Sequence, residues 1–177
     1  MLNYLEVADE EKPHSLRVSL LAGSMAKRAG LSTREIENIK SAALLCGAGE
    51  LQSNVPLLGE VADFMGSDTK VAKSTLSNRE QVMLKTTASL LKEIEPLLSG
   101  YFRHYVQEAV QLDKNLDEIP MGTSLIAIAE LMDRIQTQGI ARLGKEEFTS
   151  FKDIEKLSGR TFHELSVKAL RELILTL

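Results

Sequence analysis

Residues 118–135 read EIPMGTSLIAIAELMDRI, and the reading of this stretch decides the fold. Ile126, Ala129, Met132 and Ile135 recur at helical spacing, and the residues between them are mostly apolar or small. A helix of this kind has no broad solvated face, so it is expected near the centre of a bundle, buried almost all round. Glu130 falls inside the apolar run. A carboxylate buried without a partner is costly, so Glu130 is expected to pair with His14, Arg134 or a backbone donor.

Working outward from this helix, nearly every segment carries helical and not alternating periodicity, which predicts an all-α protein. From His14 to Ala29, Val18, Leu21, Ala22 and Met25 recur at spacings of three and four, with Gly30 placed as the residue after the helix end. Ser32 and Glu35 form a capping-box pattern ahead of Ile36, Ile39, Ala43 and Leu44, so a second helix runs into the corner AALLCGAGEL, residues 42–51. Residues 46–76 are the least regular, with LLGEVADFM as one short helix. Ser77 and Glu80 repeat the capping pattern before QVMLKTTASLLKEI, and Pro96 is expected to start a separate helix carrying YFRHYVQEAV. EEFTSFKDIEKL reads as a further short helix, and Thr161 with Glu164 as the cap of a last one carrying Leu165, Ala169, Leu170 and Leu173.

The chain has 177 residues, with 21 Lys and Arg against 25 Asp and Glu, a net charge of −4 that disfavours nucleic acid or an anionic membrane as partner. One domain over residues 1–177 is expected, with 1–13 as a lead-in and 51–67 as an insertion. The single cysteine, Cys46, makes no internal disulfide, and MLNYLEVADEEK lacks the pattern of a signal peptide, so the cytoplasm is the expected compartment. Charges break every apolar run before the ~20 residues that span a bilayer.

The order of these pieces resembles the HD-GYP branch of the HD-domain metal-dependent phosphohydrolases. HSLRVSLLAGSMAKRAGLSTREIENIKSAALL is similar to that family's opening helix pair, DTKVAKSTLSNREQVMLK to the lead into its middle helices, EIPMGTSLIAIAELMDRI to its aspartate-bearing helix, and SGRTFHELSVKALREL to its closing Gly-x-x-Phe-Asp-Pro helix. The resemblance implies a compact multi-helix HD-domain-like bundle and, in a complete member, hydrolysis of cyclic di-GMP at a divalent metal centre. His14 stands at the first ligand position, Glu130 where the family has aspartate, and Asp133 at a further family aspartate. Elsewhere the chain departs from the pattern. Cys46-Gly47 replaces the His-Asp pair, Gly49 matches a family glycine, and Glu50 replaces the lysine that faces phosphate. Thr87 falls at another ligand histidine, Val106-Gln107-Glu108 near the His-His-Glu, Ser124 at an arginine and His163 at the closing aspartate. No Gly-Tyr-Pro lies between Glu108 and Ile119, and Gly100-Tyr101-Phe102 sits too early to substitute.

A metal centre built from several imidazoles and carboxylates cannot be assembled from three histidines on this pattern. His14, Cys46, Gly47, Glu50, Thr87, Glu130 and Asp133 are therefore read as relict positions, with no catalytic residue and no cofactor. Cys46 is expected to be a buried thiol in the core, and His104 a partly exposed helix residue among Tyr101, Phe102, Arg103 and Tyr105. The expected function is that of an inactive HD-GYP-like module in bacterial signalling, binding a protein partner or a second copy of itself. The alternatives are a phosphohydrolase with a reduced manganese or iron site at His14, Glu130 and Asp133, and a sensor that binds a cyclic dinucleotide without cleaving it.

Overall fold

A computed structural model describes residues 12–46, 78–106 and 112–176. The expected cap at Ser77, the short helix LLGEVADFM, most of the lead-in and the insertion at 51–67 lie outside the described residues. So do Gly47, Gly49, Glu50, Gln107 and Glu108.

The fold is all-α. Helix α1 spans His14–Arg28, α2 Thr33–Cys46, α3 Asn78–Tyr101, α4 Met121–Gln138, α5 Phe151–Glu155 and α6 Glu164–Leu175. Helix α4 is the centre. Every residue from Gly122 to Asp133 is buried, because α1, α2, α3 and α6 all pack on it. The close fit of α4 to α2 and α3 depends on Gly122, where a Cβ would lie 2.8 Å from Leu97 and 2.9 Å from Ile39. Among the described residues no helix is long and apolar enough to cross a membrane.

Helix α1 buries Val18, Leu21, Ala22 and Met25 and ends where the sequence placed its stop. Gly30 takes φ +80°, donating to Lys27 O at 3.2 Å while the Leu31 amide donates to Ala26 O at 3.1 Å. The left-handed residue thus lets two otherwise orphaned carbonyls be met. At the start of α2, Ser32 N–H donates to Glu35 Oε2 (2.9 Å) and Glu35 N–H to Ser32 Oγ (3.3 Å), the reciprocal pair that its sequence announced.

Three expectations are corrected. Pro96 does not open a helix; it lies inside α3, which runs unbroken to Tyr101. Its ring is on the exposed side, where the carbonyl left without a donor can be hydrated, while Ile94 and Leu98 on the inner side are buried and hold the helix to the core. The aromatic segment is a continuation of the same rod, as a five-residue π-helical turn at Phe102–Val106. In EEFTSFKDIEKL the first three residues are strand, not helix. Ala141–Leu143 (β1) and Glu146–Phe148 (β2) pair antiparallel around Gly144 (φ +59°), burying Ala141, Leu143 and Phe148. Helix α5 then starts after Ser150, whose amide donates to Asp153 Oδ2 at 3.1 Å.

The last correction is at α6. Its N-cap is His163, and the Thr161 hydroxyl donates instead to Leu112 O. Phe162 is fully buried with its ring stacked on Tyr105, centroids 5.7 Å apart, while the Thr161 and Phe162 amides both turn back to Leu157 O, so the helix begins only after His163. His163 Nε2–H donates to Ile119 O at 2.7 Å, tying the start of α6 to the entry of α4.

Candidate functional site

The first turn of α1 meets the last buried turn of α4. Glu130 and Asp133 are three residues apart on one face of α4, and His14 and Arg17 three apart on α1, so each pair projects to one side. His14 Nδ1 lies 2.7 Å from Asp133 Oδ2, and His14 Nε2 3.0 Å from Glu130 Oε2. Arg17 grips the same aspartate in fork geometry, Nε donating to Oδ1 at 2.6 Å and Nη2 to Oδ2 at 2.9 Å, while its Nη1 donates to Lys12 O at 2.5 Å. Arg134 Nε lies 3.6 Å from Glu130 Oε2, an ion-pair distance. Both carboxylates and Arg17 are buried; the imidazole is about a third exposed, at 38 %.

Of the partners the sequence offered for Glu130, His14 is the hydrogen-bond partner and Arg134 stands one step farther off. Arg17 was not anticipated. The only local signal was its position one turn after His14, since its partner lies 116 residues away.

The charges reinforce one another. The bond to Glu130 raises the His14 pKa above 6.5, burial opposes this, and the bond to Asp133 raises it again. For Asp133, burial pushes the carboxyl up, but the bonds from Arg17 and His14 outweigh it and the net position is below 3.8. With a carboxylate oxygen against each ring nitrogen, the favoured state of His14 is the doubly protonated imidazolium, which has no lone pair for a metal. Arg17 brings a second fixed positive charge to the oxygens of Asp133. The set therefore does not fit a metal centre: its one imidazole and its carboxylates satisfy one another. Among the described residues no group of three or more His, Cys, Asp and Glu is placed to hold a metal ion.

Cys46 ends α2 beside this cluster. It is buried, and burial followed by the charge of Glu130 pushes its thiol up, so it stays a protonated core sulfur and not a nucleophile. Tyr101 ends α3 at the same corner: burial, then Glu130 and then Cys46 push its phenol up as well. Thr87 does not join them. It is exposed on α3, with its hydroxyl donating to Met83 O at 2.9 Å. Ser124 is buried and its Oγ accepts from His163 N–H at 3.1 Å, a bond that anchors α6. His104 is partly buried on the π-helical turn, and burial followed by Lys114 and Arg103 lowers its pKa.

Chemically, the arrangement is a closed ion network that fastens the start of α1 to α4. Within it both nitrogens of His14 face carboxylates, and burial holds the Cys46 thiol protonated. No family model, curated protein or solved structure matches the chain.

Proposed function

We propose that this chain is a non-catalytic interaction or regulatory module on an HD-GYP-like helical frame, acting in bacterial signalling in the cytoplasm. One observation carries the reading: both nitrogens of His14, the residue that the resemblance puts at the first ligand position, face carboxylates that are themselves held by Arg17 and Arg134. A metal site of this class needs neutral imidazole and unshared carboxylate, whereas here protonated side chains take the cation's place. Removing ligands does not undo a fold held mainly by apolar burial, so the frame can serve a partner after its chemistry is lost.

The meeting of His14, Glu130 and Asp133 also favours a second reading, a reduced metal-dependent phosphohydrolase. Elemental analysis separates the two, on tag-free protein purified without chelator after expression with manganese and iron. The expected result is metal far below one atom per chain and no turnover of cyclic di-GMP. Near-stoichiometric metal that disappears in His14→Ala would overturn the proposal in favour of the hydrolase. Saturable binding of cyclic di-GMP without turnover would replace it with a sensor.

A further inference from the structure

A groove of 320 Å³ opens where the entry of α4 meets the start of α6. Its apolar wall is made by Leu116, from the 3-10 turn Leu116–Glu118, by Met121, the first residue of α4, and by Leu165 of α6. Leu165 is 55 % exposed, so a large apolar side chain stands at the rim with its outer side in water.

The polar side chains of the groove present acceptors. His163 Nε2–H donates to Ile119 O at 2.7 Å, so on the neutral ring Nδ1 carries the lone pair. The Glu164 carboxylate leans over Gly159, where an added Cβ would lie 2.9 Å from Oε1; a glycine at φ +73° leaves that place to the carboxylate. No side-chain cap bond ties Glu164 to its own helix. Lys168, one turn along α6, is the cation that helical spacing offers it, but the Lys168 Nζ lies 4.0 Å from Glu172 Oε1. Arg160, next to Gly159, holds Asp113 instead, Nε donating to Oδ1 at 2.7 Å and Nη2 to Oδ2 at 3.1 Å. Among the described residues Glu164 therefore has neither an ion-pair nor a hydrogen-bond partner, although both neighbouring cations are spoken for.

An occupant has to bring donors and positive charge to Glu164 and apolar surface to Leu116, Met121 and Leu165. An arginine side chain meets both demands: its methylene stem can lie on the apolar wall while its planar guanidinium offers paired donors to the carboxylate. An anion would be repelled by Glu164, and a wholly apolar group would cover that carboxylate without satisfying it. The chain's net charge of −4 favours the approach of a cation in the same sense.

We infer that this groove is a docking site for an arginine side chain of a partner protein, presented beside an apolar residue that covers Leu165. The inference deepens the interaction-module reading, and rests on it, by giving the chemistry of the partner's contact.

Titration of the full chain with the blocked tripeptide acetyl-Leu-Arg-Leu-amide, followed by two-dimensional amide NMR, tests it. Saturable shifts are expected, centred on the amides of Gly159, Glu164 and Leu165. The same tripeptide with citrulline for arginine keeps the shape and loses the charge, and should bind more weakly. Glu164→Gln should weaken binding of the arginine tripeptide roughly three- to fivefold, the scale of an exposed ion pair, and added salt should weaken it as well. Leu165→Ser should also lower affinity. Both residues are exposed, so the thermal midpoints of the two variants should stay near the wild-type value. Absence of saturable shifts, equal binding of the citrulline tripeptide, or wild-type affinity in Glu164→Gln would each overturn the inference. So would n-butylguanidinium alone binding as tightly as the tripeptide, which would make the occupant a small cation. A dimer in sedimentation equilibrium that Glu164→Gln dissociates would overturn it in favour of a second copy. Metal-free protein that ignores the tripeptide would sink the docking site and leave the inactive-module reading standing; stoichiometric metal with Glu164-dependent binding would do the reverse.

Discussion

Replacing Arg17 by Met tests whether the ion network is a buried structural element. Methionine keeps much of the side-chain length but removes two bonds to Asp133 and one to Lys12 O, at a residue only 8 % exposed. Asp133, 3 % exposed, would keep its bond to the His14 imidazole. Breaking a buried pair by deleting one partner costs about 3–5 kcal/mol, and the surviving histidine bond places this case near the lower figure, ~3 kcal/mol. For a chain of this size that corresponds to a fall in thermal midpoint of roughly 6–12 °C. Urea unfolding followed by circular dichroism reads it as a lower midpoint at unchanged slope. Arg142→Met is the control, because Arg142 and Glu147 form an exposed pair and should give a much smaller loss. The double variant Arg17→Met with Asp133→Leu should recover most of the deficit, since it removes the stranded charge. Equal losses for Arg17→Met and Arg142→Met, or a further loss in the double variant, would refute the view that an uncompensated buried carboxylate is the cause.

The network also fixes a pH dependence. His14 has its pKa raised above 6.5, so its stabilising contribution is complete below 6.5 and is lost as pH rises through the folded-state value. Asp133 has its pKa lowered, so its contribution is complete above 3.8 and is lost as pH falls through its folded-state value. Both are complete only between pH 3.8 and 6.5, and the gap in unfolding free energy between wild type and His14→Gln should close as pH rises above that window. The comparison with the variant is needed because His104 is shifted down and contributes with the opposite sign; a gap that widens with pH would contradict the assigned contacts. Gly122→Ala should destabilise by about 1–2 kcal/mol despite alanine's better helix propensity, because its Cβ would crowd Leu97 and Ile39. A stabilised variant in thermal denaturation would show that α2, α3 and α4 are not in such close contact. Cys46 should react with a thiol reagent only on unfolding, so native labelling at the rate of the denatured chain would contradict its burial.

How far the sequence can be read depends on the range of the interaction being read. The centre of the bundle was legible because residues 122–133 are apolar or small on nearly all sides, a property of the segment alone. The stop of α1 and the start of α2 were legible for the same reason: Gly30 and the Ser32–Glu35 pair act within a few residues. Where the deciding contact lies far along the chain, local rules mislead. Pro96 carries a start signal, yet the burial of Ile94 and Leu98 holds α3 through it. Thr161 and Glu164 have capping spacing, yet Phe162 is drawn into the stack with Tyr105 and the Thr161 hydroxyl into a bond with Leu112 O. The hairpin strands are three residues each, too short to show an alternating pattern.

The ion network lies at the far end of that scale. Burial of Glu130 in an apolar run called for a partner and His14 was one of those offered, but nothing local shows that His14 also bonds Asp133 or that Arg17 reaches that aspartate from 116 residues away. Arg17 decides the chemistry of the corner, because its fork on Asp133 supplies a permanent positive charge where the alternative reading requires an ion. A histidine beside two carboxylates is compatible with a metal. The same histidine beside two carboxylates that are themselves gripped by Arg17 and approached by Arg134 is better satisfied as an imidazolium.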